Sequence, residues 1–383
     1  MANNPRESGT SQRSDFPHSM LVEIYEQPHT IQETIRVHVK GNLIFPSSLT
    51  NIEIALLNFK KIIIAASGSS RHAGLAGEIM IEDLSGVAVD VEYASEYCYR
   101  STHATADPLV VVITQSGETA DTIAAQREAL NRAARTVAIS NVADSTIAHE
   151  ANATLVTQAG LEKAVPATKS FTAQLTILYL FALFLARKRG RMTSEVIRTH
   201  LNALAAVPEG IAKYLGSWDK QADECSWLFQ QSKTFIFLGR GVHYAIAREG
   251  ALKLKEISYV QAEAFPTGEL RHGPNALVDE KLTVVALATR DTSDPDSLLR
   301  YKKTFGVLEY VKSHGGKSVV IATDGDSEIQ QVAERVIFVP PAPELLLPLL
   351  EVVPLQLFSY HYAVRNGCDV DHPRHLVKAV VTE

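Results

Sequence analysis

The sequence predicts an α/β protein made of two three-layer α/β/α sandwiches with parallel sheets, with a helical lead before them and a C-terminal helix and tail after them. Three observations predict it. Short β-rich apolar runs alternate with helical stretches, as parallel strands joined by crossover helices require. The alternation stops and then restarts near residue 220. Many of the runs end in small or hydroxyl-bearing residues, and ligands of such sheets sit beyond the carboxyl ends of the strands.

Composition permits this plan. A chain of 383 residues accommodates two domains, and 46% apolar residues supply their cores. A net charge of −6 offers no basic footprint for nucleic acid and no cationic face for a membrane surface. Cys98, Cys225 and Cys368 lie far apart with no C-x-x-C, so neither a zinc site nor a disulfide framework is indicated. A reduced, cytoplasmic setting fits best. Residues 1–18 lack an apolar h-region and read as a disordered lead rather than a secretory signal. The longest apolar run, "LTILYLFALFLA" from Leu175, is too short to cross a bilayer and reads as a buried helix; "RKRGR" after it places cations at the helix end.

The elements follow in order. Residues 19–44 form the helical lead. The first sandwich, 45–205, opens with "KKIIIAASGSSRHAGLAGEIMIEDL": strand, small-residue turn, helix. "GVAVDVEYASEY" adds a strand, and "PLVVVITQSGETADTIAAQREAL" repeats strand, hydroxyl turn and helix. "TVAISN" and "ATLVTQAG" are two more short strands. The second sandwich, 220–342, restarts the pattern with "KTFIFLGRGVHYAIAREGALKLKEI", then "LTVVALATRD", "KSVVIATDGD" and "ERVIFVPP". A helix and tail fill 343–383.

Two strand ends of the first sandwich carry Ser67, Ser69, Ser70 and Thr114, Gln115, Ser116, Thr119. One reading is a plain helix start, with Ser116 as N-cap and Thr119 and Asp121 in the first turn. The other is a cradle for a phosphate monoester. Free N–H groups and the dipole at each helix start favour an anion, and the hydroxyls add uncharged donors. Two such turns in one sheet favour the cradle. Neither matches the nucleotide P-loop pattern, and "GRGVHYA" is not G-x-G-x-x-G.

Glu249, Lys253 and Glu256 are spaced i, i+4 and i+7 and share a helix face. A solvated salt-bridge ladder is one reading. The apolar neighbours Ala251, Leu252, Leu254 and Ile257 favour another, in which a buried Glu beside a Lys has a tunable proton affinity. His272 in the "RHGP" turn reads as structural or chemical. In the tail, Pro373 stiffens the chain, and Leu376, Val377, Val380 and Val381 can dock it. Lys378 among them is either a snorkelling surface lysine or an amine that attacks a carbonyl to form a Schiff base.

The strings "IYEQPHTIQETI", "EYASEYCYR", "TQSGETADT", "AVPATKSFTAQL", "FLGRG", "EGALKLKEISYVQAEAFPTGELRHGP" and "DVDHPRHLVKAVVTE" closely resemble the isomerase half of glucosamine-6-phosphate synthases, from about residue 19 to the end. The resemblance implies two sugar isomerase (SIS) domains. It implies phosphate binding by Ser69, Ser70, Thr114, Gln115, Ser116 and Thr119, and sugar contacts at Val165 and Val377. Glu256 would shuttle a proton between C1 and C2, and Lys378 would form the Schiff base. Glu249 and Lys253 would line the pocket, with Glu162 near it. His272 would assist ring opening in the neighbouring subunit, so a homodimer is implied. No metal or other cofactor is expected. Three positions depart from the family: Ser69 replaces threonine, Ala167 follows Pro166 where serine is common, and Val377 replaces alanine.

In the family a glutaminase domain with an N-terminal cysteine precedes the isomerase half. Here about twenty polar residues without cysteine do so. The expectation is therefore a core interconverting fructose-6-phosphate and glucosamine-6-phosphate, deaminating or ammonia-dependent, with a separate glutaminase as a possible partner. The alternatives are a non-catalytic sugar-phosphate sensor and a fructosamine-6-phosphate deglycase.

Overall fold

A computed structural model describes residues 16–382, apart from 46, 53–55, 57–58 and 101–107. The expected disordered lead thus falls mostly outside the described residues. Two helices come first, α1 (Ser19–Tyr25) and α2 (Gln27–His38), then a small antiparallel hairpin of β1 (Val39–Lys40) and β2 (Leu43–Ile44). The free N–H groups that open α1 are satisfied from the far end of the chain. The Asp371 carboxylate accepts from Ser19 and Met20, each at 2.8 Å.

The first sandwich contains β3 (Lys61–Ala66), α3 (Gly68–Ser85), β4 (Ala88–Tyr93), the short α4 (Ala94–Tyr97) and β5 (Leu109–Thr114). It continues with α5 (Ala120–Asn131), β6 (Arg135–Ser140), α6 (Thr146–Glu150) and β7 (Ala153–Val156). The five strands are parallel in the order β4-β3-β5-β6-β7. All six residues of β5 are buried, as near-continuous apolar strands covered on both faces should be. The connections reverse direction between β3 and β5, which puts the crevice of this sheet beyond those two strand ends.

Two long helices follow, α7 (Lys169–Lys188) and α8 (Ser194–Leu228). The interval between the two expected sandwiches, 206–219, lies inside α8. The second sandwich holds β8 (Thr234–Gly239), α9 (Val242–Ser258), β9 (Gln261–Pro266), β10 (Thr283–Ala288), α10 (Pro295–Ser313), β11 (Lys317–Thr323) and β12 (Arg335–Val339). Its parallel order β9-β8-β10-β11-β12 repeats that of the first sheet. Last comes α11 (Leu347–Arg365) and an extended tail.

Helix α7 is long and apolar enough to cross a membrane, yet every residue from Lys169 to Ala186 is buried in protein. It packs on α3, as α11 packs on α9, and α3 also packs against α9. That last contact joins the sandwiches and presses a helix of the second against the strand tips of the first.

Candidate active site

The turns after β3 and β5 open onto one cleft of about 290 Å³. Ser67, Ser69 and Ser70 line it from the first turn, and Thr114, Gln115, Ser116 and Thr119 from the second. Helix α5 begins at Ala120 with Thr119 as N-cap, so Ser116 is not the cap. The Ser116 hydroxyl instead accepts from the Glu118 N–H at 3.1 Å within the turn. Gly117 makes this turn possible. Its φ is +73°, and a Cβ there would fall 2.0 Å from the Ser145 hydroxyl oxygen. Glu118 ties the turn down by accepting from the N–H and hydroxyl of Thr146, both at 2.8 Å. Thr114 and Thr119 pair their hydroxyls at 3.0 Å, and Gln174 of α7 donates to Ser70 at 3.0 Å.

Helix α9 supplies the charged wall. Glu249 is 0% and Lys253 1% exposed, so the i, i+4, i+7 face is no solvated ladder. Both Lys253 and Glu256 line the cleft, with Lys253 Nζ donating to Glu256 at 2.6 Å. Glu249 sits behind Ser69. It accepts from the Ser69 hydroxyl and from His72 Nδ1, each at 2.8 Å, and lies 3.5 Å from Lys253 Nζ. Burial alone would raise its carboxyl. The Lys253 ammonium, then His72 and Ser69, hold it below the usual carboxylate range instead. Burial likewise opposes a charged Lys253, but Glu256 and Glu249 overcome it and lift the amine above its ordinary value. Glu249 and Lys253 therefore keep their charges although both are buried.

The tail closes the third side. Val165 donates its N–H to the Asp371 carbonyl at 2.9 Å, and Ala120, first in α5, donates to the Val380 carbonyl at 3.0 Å. Between these straps Leu376, Val377 and Lys378 line the cleft opposite Val165 and Ala167. Lys378 Nζ donates to Glu162 at 2.6 Å and to the Ala164 carbonyl at 2.7 Å. Glu162 is buried, which would raise its carboxyl, but Lys378 and the N–H groups of Thr168 and Ser170 bring it below the normal range. Lys378 is thus a held ammonium and not a snorkelling surface chain.

One cleft therefore gathers Ser69, Ser70, Thr114, Gln115, Ser116, Thr119, Val165, Lys253, Glu256, Val377 and Lys378. Glu249 stands one residue behind it. His272 stands apart: it is exposed on a turn between β9 and β10 and does not line the cleft. Sequence reasoning missed His72, which orients Glu249, and Gln174, which holds Ser70. His72 falls three residues after Ser69 on α3, a helical neighbour of a flagged position, and that spacing was the available signal. Gln174 had none. Among the described residues, no group of three or more His, Cys, Asp or Glu is placed to hold a metal ion.

Comparison with known proteins bears on the family and the fold. The SIS domain family model matches residues 55–184 and 228–365. The glutamine–fructose-6-phosphate aminotransferase (isomerizing) of Chlorobaculum tepidum is 42% identical over 374 residues, which is 97% of this chain and 59% of that protein. Its counterpart in Clostridium tetani is 40% identical over 97% of this chain and 60% of its own length. The chain thus spans about 60% of the length of the curated relatives it matches. The solved C-terminal domain of glucosamine-fructose-6-phosphate aminotransferase from Francisella tularensis superposes with a TM-score of 0.87 at 35% identity, over 94% of this chain and 99% of that one. A glucosamine-6-phosphate deaminase from Thermotoga maritima shares the fold, with a TM-score of 0.71 at 21% identity over 95% of this chain and 99% of that one.

Proposed function

The chain belongs to the SIS domain family, and from that premise we propose that it is a phosphosugar isomerase that exchanges oxygen for nitrogen at C2, interconverting fructose-6-phosphate plus ammonia and glucosamine-6-phosphate plus water. One observation carries the reading. Uncharged donors at two helix starts share a cleft with an amine, a carboxylate and a second buried lysine. The donors suit a phosphate, and the charged groups suit the chemistry of a carbonyl two to three bonds from a proton that must move.

In this reading the turns after β3 and β5 hold the phosphate. Lys378, freed of one proton, attacks the C2 ketone, and loss of water leaves an imine. Ammonia displaces the lysine. Glu256 takes a proton from C1 and returns it to C2, while the C1 hydroxyl gives up its proton and the C2 nitrogen gains one; the path passes through an enolamine and ends with the C1 aldehyde and C2 amine of glucosamine. Lys253, 2.6 Å from Glu256, balances the carboxylate and in this reading would donate to the oxygen at C1. Glu249 keeps Lys253 in place from behind. The same steps run backwards release ammonia. Ring opening by His272 would come from a second copy of the chain, since its own cleft lies elsewhere.

The test is to incubate the protein with glucosamine-6-phosphate and assay ammonia, and separately with fructose-6-phosphate and ammonium and assay the amino sugar. Turnover in either direction that is lost in Glu256→Gln is expected. Absence of both, with sugar phosphate still bound, would leave a sensor. Borohydride should trap a sugar adduct on Lys378. Mixing His272→Ala with Glu256→Gln chains should restore activity if the histidine serves the neighbouring site; no restoration would confine each site to one chain.

A further inference from the structure

Glu23 comes from α1, outside both sheets, yet it is 3% exposed. One carboxylate oxygen accepts from the N–H of Lys163 and from that of Ala164 at 3.2 Å. The other oxygen is buried without a hydrogen-bond partner. The turn it grips is the one that presents the Ala164 carbonyl to Lys378 at 2.7 Å, next to Glu162 at 2.6 Å. Two buried carboxylates therefore stand near a single ammonium, and nothing in the steps above uses the first of them.

We infer that Glu23 is a positioning residue for Lys378: it fixes the segment whose carbonyl accepts from the lysine, and it brings a second carboxylate beside the one, Glu162, that the lysine already pairs with. The inference rests on reading Lys378 as the amine that attacks the sugar. Geometry ties the two groups through one residue, Ala164, whose N–H donates to Glu23 and whose carbonyl accepts from Lys378. Charge ties them across the same space. Burial, and then the Glu162 carboxylate, push Glu23 up to about 7, while the two N–H groups and Lys378 pull it back. Glu162 on the turn and Lys378 on the tail are the charged groups that face it. Glu23 thus changes charge within the neutral range, beside an amine that must shed a proton before it can act. Protonated, it withdraws one of two counter-charges and eases that loss.

The test needs no sugar. The full chain is treated with trace acetic anhydride from pH 6 to 9, and acetylation of Lys378 is measured by peptide mass spectrometry relative to Lys220, whose side chain is 80% exposed. In the wild type the Lys378:Lys220 ratio should be higher below about pH 7 than above it, following Glu23. A ratio flat across that range overturns the inference. In Glu23→Gln, which keeps an acceptor for the turn but no charge, the Lys378 rate at pH 8 should rise about three- to tenfold, the effect of removing one nearby counter-charge. An unchanged rate in a variant that melts normally also overturns it, since a purely structural role would survive the glutamine. A flat ratio leaves imine formation standing. Failure of borohydride trapping would instead sink the catalytic reading and leave the labelling result intact.

Discussion

Where β3 and β5 end, the first sandwich offers Ser69, Ser70, Ser116 and Thr119 to an open cleft; where β8 and β10 end, the second sandwich has filled the corresponding place with its own charges. His243, at the start of α9, is 3% exposed. Its Nε2 lies 3.0 Å from Glu344 and its Nδ1 2.7 Å from Glu351. Thr289, just past β10, donates to Glu351, and Ser297 and Arg300 donate to Glu344, the arginine at 2.7 Å. Burial opposes a charged imidazole, but Glu351 and Glu344 lift His243 to about 10. Burial also works against the Glu344 carboxylate, yet its bonds to His243 and Ser297 draw it down to about 2. The difference teaches what a duplicated fold leaves open. A strand tip receives an anion when its side chains are neutral donors and its helix start is unoccupied. Two carboxylates at the same spot repel a phosphate and are stable only around a cation of their own.

The comparison can be broken in several ways, the largest effect first. Glu256→Gln should lower kcat by about 10²- to 10⁴-fold with little change in sugar-phosphate binding. Glu351→Gln, in the second sandwich, should leave kcat alone. A kinetic defect in the latter would mean that the second set of strand tips takes part in catalysis. His243→Leu should cost about 3–5 kcal/mol by leaving two buried carboxylates without their cation. Thermal melting would register that, while KM of the surviving folded enzyme stays put. Ser116→Ala and Thr119→Val should each raise KM about tenfold without touching kcat, the size of one hydrogen bond to a charged group. Thr289→Val should leave KM unchanged; a rise in KM would place sugar in the second sandwich.

The pH dependence sharpens the same contrast. His243 titrates higher when folded than its ordinary 6.5. Its stabilisation is therefore complete below pH 6.5 and is lost as pH rises toward about 10. Glu344 titrates lower than its ordinary 4.5, so its contribution is complete above pH 4.5 and is lost as pH falls toward about 2. Melting temperature should peak between those two ordinary values and decline on both sides. In His243→Leu the alkaline decline between pH 7 and 10 should flatten. An unchanged alkaline slope would mean that the ion cluster does not govern stability there.

Much of the first sandwich was legible because the physics is local. The run "PLVVVI" must be buried on both faces, and the hydroxyls after it must lie at its tip, whatever the rest of the chain does. The start of α5 was less legible: three more turn residues precede it than the cap reading at Ser116 allows, because Gly117 takes a left-handed φ to let Ser145 approach. His72 and Glu23 were not flagged. Their partners lie 177 and 140 residues away in the chain; the spacing of His72 from Ser69 pointed to the cleft but not to Glu249, and Glu23 had no local signal at all.

Periodicity and strand-end chemistry were thus the sequence's to determine: two parallel sheets, a hydroxyl-lined tip, and a helix face bearing Glu249, Lys253 and Glu256. Only the tertiary structure decided whose tip that face would serve. Helix α9 leaves β8 in the second sandwich but packs on α3 of the first, and the tail returns from α11 to lie across α5. The physical reason is burial. Helices α7 and α11 are largely apolar and buried almost all round, and covering them with α3 and α9 brings the charged stripe of one sandwich onto the neutral cradle of the other.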